Sequence, residues 1–221
     1  SIAPSDLAGS NLDIEKTRSY FSYRPNMVEI SPLGDGILIH MGRKWDDAAY
    51  GGKGKYYINT WFDGAHLWPV DFNFTTQAPL KVSISETHSG WSFDNAGKTV
   101  FISQNNRTDK LDAVYTQGTN KGYNNRLEVA SHGDFGWNMG FHYGKMPENK
   151  PGWLFISTYS KDDELWASNQ LMMVEVKPES DNPMLWRIAP TYNSFQGYYR
   201  DEAPAAINVI GNRVYFSSNW G

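Results

Sequence analysis

Residues of the kinds that transfer protons and bind anions lie in three loops of the sequence. One Gly-rich loop holds Arg43, Lys44 and Tyr50, and later loops hold His88 and Arg126. Arginine and lysine neutralise a carboxylate, whereas histidine and tyrosine can take or give a proton. An elimination beside a carboxylate requires these groups. We therefore expect Arg43, Lys44 and Arg126 to bind an acidic substrate, and His88 and Tyr50 to act in catalysis.

A second group of residues has side chains that bind metal ions. His132, Asp134 and His142 lie ahead of the apolar run 153–157, and imidazole and carboxylate are ligands of zinc and similar ions. A long loop with few apolar residues needs an anchor to stay ordered. We predict a structural divalent ion, zinc or calcium, held by His132 and His142 with Asp134 as a ligand or its partner, and no organic cofactor. The alternative is that His132 donates to a backbone carbonyl and His142 faces solvent.

A repeated phrase predicts the elements that position these residues. A glycine is followed by about four apolar residues, and these end in polar ones. The four copies read LGDGILIH, NAGKTVFISQ, PGWLFIST and GNRVYFSSNWG. Their β-branched and aromatic residues favour buried strands. Their glycines, Gly36, Gly97, Gly152 and Gly211, recur at roughly 55–60 residues, which indicates an internal repeat.

A unit of this length has room for four short strands and long loops, and β-propeller blades are four-stranded sheets. We predict an all-β chain that forms one β-propeller domain, or part of one, over residues 1–221. The predicted repeat units are 20–60, 80–118, 126–178 and 184–221. The strands 37–40, 99–103, 153–157 and 213–217 should occupy equivalent positions in successive sheets. Four units are few for a propeller, and the last one stops after its apolar strand, so we expect a larger propeller. An ordinary β-sandwich with recurrent hairpins is the alternative.

Composition narrows the classes of partner. The net charge is −4 and the sequence has no basic stripe, so nucleic acid is not expected. No run of eighteen apolar residues occurs, so we expect no membrane span. Cysteine is absent, which excludes disulfides and thiolate metal sites.

Further phrases lie in the second half of the chain. They are SHGD at 131–134, PGWLFISTY at 151–159, Trp166, LMMVEV at 171–176, LWRIA at 185–189, EAPA at 202–205 and RVYFSSNWG at 213–221. In these phrases the segment from 132 to 221 resembles bacterial seven-bladed propellers of the polysaccharide-lyase type, most closely the ulvan lyases. The resemblance covers the last two predicted blades well and the first two weakly.

This resemblance implies a seven-bladed propeller that cleaves an anionic, uronate-containing glycan by β-elimination. It implies an acidic polysaccharide as partner and a secreted or periplasmic location in a bacterium. In the resembling lyases a metal near this region is structural, and here no cysteine is available as a ligand. Oligogalacturonate lyases, a related group, carry a His-Pro-His element near the last blade. Here the region reads DEAPA at 201–205, which argues against a pectate-type metal site and against galacturonide as substrate.

Other functions stay open. A non-catalytic propeller can bind glycan or protein. A glycoside hydrolase needs paired acids across a cleft, and Asp46, Asp47, Asp134 and Glu202 are candidates. Arg43 can also be a solvated loop charge, and His88 can be a structural hydrogen bond that ties its loop to the next blade.

Replacing Arg43 by alanine should weaken the binding of acidic glycan and leave the fold intact, because the guanidinium is expected to pair with a sugar carboxylate. Lysine at this position should rescue binding only in part, since the planar fork that matches a carboxylate is lost. Titration calorimetry with ulvan fragments measures both changes. Unchanged affinity in the alanine variant would assign Arg43 to the solvated surface.

Overall fold

The chain is mostly β, and its antiparallel sheets do not close on themselves. The computed structural model describes residues 25–32, 36–41, 44–45, 56–57, 64–69, 80–83, 88–105, 108–136, 139–146, 149–161, 164–177, 182–198 and 201–218. Within these residues no helix is long and apolar enough to cross a membrane. The chain divides into two units, Ser1–Glu86 and Thr87–Gly221.

The first unit contains one four-stranded sheet and one short strand pair. The strands are β1 (Pro25–Ile30), β2 (Gly36–Met41), β3 (Lys44–Trp45), β4 (Tyr56–Tyr57), β5 (Gly64–Pro69) and β6 (Leu80–Lys81). The first sheet has the order β1-β2-β5-β6, and β3 pairs with β4. All of these pairs are antiparallel.

The second unit contains three further sheets. The second sheet consists of β7 (Ser89–Phe93), β8 (Thr99–Asn105), β9 (Lys110–Tyr115) and β10 (Leu127–Ser131). The third consists of β11 (Gly140–Gly144), β12 (Trp153–Tyr159), β13 (Gln170–Glu175) and β14 (Leu185–Pro190), and the fourth of β15 (Ala205–Ile207) and β16 (Val214–Phe216). A 3-10 helix (Tyr123–Asn125) and the short helix α1 (His132–Phe135) lie in the connections. Within each of these three sheets, every strand pairs with the next one along the chain. The two four-stranded sheets are therefore meanders, and the fourth sheet is a hairpin.

The repeated phrase marks the second strand, in chain order, of four of the five sheets. The four predicted strands correspond to β2, β8, β12 and β16, whereas the equivalence of these sheets as blades of one propeller stays a prediction. Gly97, Gly152 and Gly211 lie in the turns ahead of β8, β12 and β16 with φ of 78°, 84° and 69°. An L side chain disfavours this left-handed conformation, which explains why glycine opens the phrase.

Strand β12 of the third sheet is buried on both faces. Leu154 and Ile156 of β12 belong to a core shared with the second sheet. Phe155 points to the opposite face, where Ala205, Ile207 and other residues of the fourth sheet pack around it. Successive strand residues alternate between faces, so a strand with two buried faces reads as an unbroken apolar run.

The first strands of the three sheets in the second unit are neighbours. β7 contacts β11, and β11 contacts β15. β11 therefore lies between the first strands of the sheets before and after it. Residues at the starts of these three strands come close together although they are far apart in the sequence.

Alanine at Gly152 should destabilise the fold more than alanine at Gly118. Both glycines have a positive φ, 84° and 83°, so each substitution costs about 1–2 kcal/mol in backbone strain. A Cβ at Gly152 would also overlap the Asn95 side chain, whereas a Cβ at Gly118 would meet nothing within 4 Å. Such overlap adds about 1–3 kcal/mol.

Urea denaturation of the two variants measures this difference. Gly118→Ala serves as the control for backbone strain. Equal losses in the free energy of unfolding would show that the Asn95 side chain moves aside without cost.

Candidate functional site

Three metal-binding side chains meet where the first strands converge. His88 directly precedes β7, His142 is the central residue of β11, and Glu202 lies just ahead of β15. One ligand atom from each lies within 4.8 Å of the other two. Among the described residues, these form the group of histidine and acidic side chains that can hold a metal ion.

The alternation of β11 sends His142 toward this group. Its neighbour Phe141 is fully buried in the core shared with the second sheet, so His142 projects from the opposite face. On the neighbouring strand, Ser157 pairs with His142 and Tyr159 pairs with Gly140. A Cβ at Gly140 would overlap the Tyr159 ring. Glycine at this position therefore leaves room for the tyrosine beside His142.

His142 and Glu202 face each other without a hydrogen bond. Their Nε2 and Oε2 atoms are 2.8 Å apart, and the two side chains are only 16% and 11% exposed. Both atoms are buried, and neither has a hydrogen-bond partner. Buried polar atoms are nearly always paired. A cation bound by both atoms would satisfy both.

Burial keeps the imidazole of His142 neutral. It lowers the pKa of His142 to about 4, and the nearby His88 acts in the same direction. Burial also raises the pKa of Glu202, against the opposing effects of His88 and of a hydrogen bond with Tyr159. The 2.8 Å separation between Nε2 and Oε2 is typical of an ion pair. However, the lowered pKa of His142 and the raised pKa of Glu202 both disfavour the charged forms that an ion pair requires. A neutral imidazole is the form that binds a metal or accepts a proton.

His88 is oriented by the third sheet. Its Nδ1 is hydrogen-bonded to the carbonyl of Phe141. A carbonyl only accepts, so Nδ1 donates this hydrogen bond and Nε2 is the ring nitrogen that it leaves for another partner. Metal-binding histidines are commonly held in this way. The same bond joins the second and third sheets, as the structural interpretation of His88 predicts.

Aromatic rings continue the cluster. The His88 and His142 rings are 4.7 Å apart, and the Tyr159 ring is 5.1 Å from His142. Phe195 packs edge-on against Tyr159 at 5.0 Å. A group that can exchange a proton, Tyr159, therefore lies directly beside the three ligand atoms.

The structure does not bring the predicted metal ligands His132 and Asp134 to His142. Asp134 accepts a hydrogen bond from the backbone N–H of Ser131 at 2.7 Å, and this caps helix α1. The ring of His132 packs against Phe141 at 5.6 Å. Phe141 and His142 lie on opposite faces of β11, which separates the two histidines.

Arg126, which directly precedes β10, has a carboxylate partner in the second sheet. Its Nε lies 3.3 Å from Oδ2 of Asp112, and its guanidinium lies 4.4 Å from the Tyr123 ring centroid. Burial raises the pKa of Asp112, and Asn105 donates to this carboxyl group at 2.6 Å. In this structure the guanidinium of Arg126 therefore pairs with the buried carboxyl group of Asp112.

The other predicted residues fall elsewhere. Lys44 lies in β3 of the first unit. Arg43 and Tyr50, together with Asp46 and Asp47, lie outside the described residues.

Sequence reasoning missed Tyr159 and the position of Glu202. The absence of histidine from 201–205 predicted no pectate-type metal site, yet Glu202 of this segment joins the group. A signal was present in the repeat. His88, His142 and Glu202 precede the turn glycines of their phrases by 9, 10 and 9 residues. They therefore occupy similar but not identical positions in three consecutive repeats, since His142 pairs with Ser157 whereas the matching Ser103 pairs with Ser89 rather than His88.

Comparison of the chain with protein-family models, with curated proteins and with solved structures finds no match. The resemblance to ulvan lyases stays a prediction.

Replacing His142 by glutamine should reduce the loss of stability in acid. The pKa of His142 is about 4 in the folded chain, against an ordinary value of 6.5, so the unfolded state binds this proton first. The stability that neutral His142 contributes is complete above about pH 6.5 and is lost as the pH falls toward 4. At 1.36 kcal/mol per pKa unit, the loss is roughly 2–3 kcal/mol.

Urea denaturation of both proteins at several pH values between 7 and about 4, with a chelator present, measures the difference. The chelator removes any contribution from metal release, and the titrations of other groups are common to both proteins. Equal losses in the two proteins would contradict the neutral state of His142.

Proposed function

We propose that His88, His142 and Glu202 bind a divalent metal ion and that this site belongs to a polysaccharide lyase. The observation that carries the proposal is the approach of three ligand atoms to within 4.8 Å, with two of them buried and unpaired. Two imidazoles and one carboxylate suit zinc and other first-row transition ions, whereas calcium prefers oxygen ligands. Three protein ligands leave a coordination position open, as in catalytic metal sites.

The proposed reaction is β-elimination on a uronate-containing glycan such as ulvan. A base removes the proton alpha to the carboxylate, the electrons form a carbon–carbon double bond, and the bond to the leaving oxygen breaks. The cation at the site would stabilise the charge that develops on the carboxylate. Tyr159 is hydrogen-bonded to Glu202, and we assign to it the proton transfer to the leaving oxygen. Arg43 and Tyr50 stay the predicted substrate-binding and catalytic residues.

The proposal includes the arrangement of the sheets. Meanders of four antiparallel strands, placed so that their first strands are neighbours, are typical of propeller blades around a central axis. The second and third sheets are such meanders, and the fourth is a two-stranded hairpin whose first strand, β15, contacts β11. We propose that they are successive blades of a larger propeller and that the metal site lies near its axis. A secreted or periplasmic location in a bacterium goes with this proposal.

A non-catalytic propeller with a structural ion is the second candidate. It is favoured by the origin of the three ligands, because each precedes or lies in the first strand of a different sheet. An ion bound there would cross-link three sheets, and metal-binding free energy would then contribute to folding. Such a protein would bind glycan or another protein without cleaving it.

One experiment tests both candidates. Purified protein, dialysed without chelator, should contain about one transition-metal ion per chain, and incubation with ulvan should produce the ultraviolet absorbance of unsaturated uronyl ends. His142→Ala should lose the metal and the absorbance. Even removal of a group that only supports a ligand weakens metal binding about 10–100-fold, so removal of a ligand should cost at least as much. The matched control, His132→Ala, should keep both.

The other outcomes are equally decisive. Metal without new absorbance, combined with a melting temperature that falls on chelation, favours the structural ion. New reducing ends without absorbance indicate a hydrolase. Metal that persists in His142→Ala contradicts the site.

A further inference from the structure

A strip of aromatic and basic side chains leads away from the candidate site. It starts at Tyr159, the last residue of β12, and continues to Phe195, which packs on the Tyr159 ring. Lys161 follows two residues after Tyr159, and its side chain lies against Gly197 in the segment between β14 and β15. The next residue, Tyr198, is 61% exposed.

The position of Lys161 depends on a glycine. A Cβ at Gly197 would overlap Cε and Nζ of Lys161, so the missing side chain provides the space that the ammonium group occupies. Gly197 also has a φ of 97°, a conformation that other residues rarely adopt. The loop backbone and the lysine therefore form one surface beside Tyr198.

The carboxylate of this loop is turned toward its own backbone. Oδ2 of Asp201 accepts a hydrogen bond from the N–H of Gln196 at 3.3 Å. The N–H of Asp201 in turn donates to the carbonyl of Tyr198 at 2.8 Å. These bonds brace the loop that carries Tyr198. Glu202, the next residue, is mostly buried and belongs to the candidate site.

We propose that Lys161 and Tyr198 form a subsite for an acidic sugar residue next to the one that reacts. An ammonium group pairs with a carboxylate or a sulfate, and a tyrosine presents an apolar ring face with a polar tip to a pyranose ring. This inference rests on the proposed function, because it places the subsite on the same glycan chain. The inference adds Lys161 and Tyr198 as the residues that select an anionic sugar next to the reacting one.

Acidic residues that follow Lys161 in the sequence oppose the binding of an anion, and the experiment must measure which charge dominates. Asp162, Asp163 and Glu164 follow Lys161 along the chain, and like charges oppose the approach of an anion. If Lys161 dominates, affinity for an acidic glycan falls as salt is added, because exposed charges are screened. If the carboxylates dominate, affinity rises with salt.

The test is titration calorimetry with size-selected ulvan fragments at low and high salt. Lys161→Gln should lower the affinity about threefold to fivefold at low salt, the range of an exposed ion pair, and much less at high salt. Tyr198→Ala should lower it about threefold to tenfold at both salt concentrations, because ring contacts are not screened. Lys161→Arg should keep most of the affinity. The control, Lys121→Gln, removes an exposed lysine from the loop between β9 and β10 and should change nothing.

Modified fragments identify the anionic group. If Lys161 pairs with a carboxylate, Lys161→Gln should no longer lower the affinity for carboxyl-reduced fragments. If it pairs with a sulfate, the substitution should no longer lower the affinity for desulfated fragments. Affinity that rises with salt, or equal losses in Lys161→Gln and Lys121→Gln, would overturn the subsite.

The two proposals can fail separately. Lys161-dependent binding without unsaturated products would remove the lyase and keep the subsite. Elimination with an unchanged KM in both Lys161→Gln and Tyr198→Ala would keep the lyase and remove the subsite.

Discussion

The packing of β11 between β7 and β15 is the constraint on which the rest of the second unit depends. It places residues of β11 against the sheets on both sides. Phe141 faces one core, and His142 meets Glu202 on the other face. Gly144 leaves room for Phe155 of the paired strand, since a Cβ there would lie 2.5 Å from Cδ1 of that ring. A shift of this strand by one residue would exchange the two faces.

The candidate site carries a free-energy cost that the apolar cores around it must offset. Two polar atoms lie buried without hydrogen bonds, and burial opposes the charging of both groups. Unpaired buried groups cost about 1–3 kcal/mol each. Strain and unsatisfied groups in a well-packed unit are typical of functional sites, because the surrounding structure holds them in place. The same packing gives a ligand a preorganised set of donors.

Much of the fold could be predicted from the sequence, because the turn glycine and the apolar run depend on local chemistry. A positive φ favours glycine, and a strand with two buried faces consists of apolar residues. Both features can therefore be recognised from residue types. The grouping of the ligands could not be predicted in this way. His132 and His142 are close in the sequence, but helix capping and strand alternation direct them apart. Glu202 joins His142 only through the contact between β11 and β15, which no local pattern records. The repeat spacing contained part of this information, because the ligands precede the turn glycines of their phrases by 9, 10 and 9 residues.

Each of the three ligands belongs to a different copy of the repeat, and this has a consequence for how such a site changes over time. The second strand of each copy keeps the apolar phrase that holds the sheets together. The segment that supplies the ligand carries His in two copies and Glu in the third, at slightly different positions, so it varies while the phrase persists. A duplicated unit can therefore exchange one donor without disturbing the hairpin that supports it. The architecture separates the residues that maintain the protein from those that diversify its chemistry.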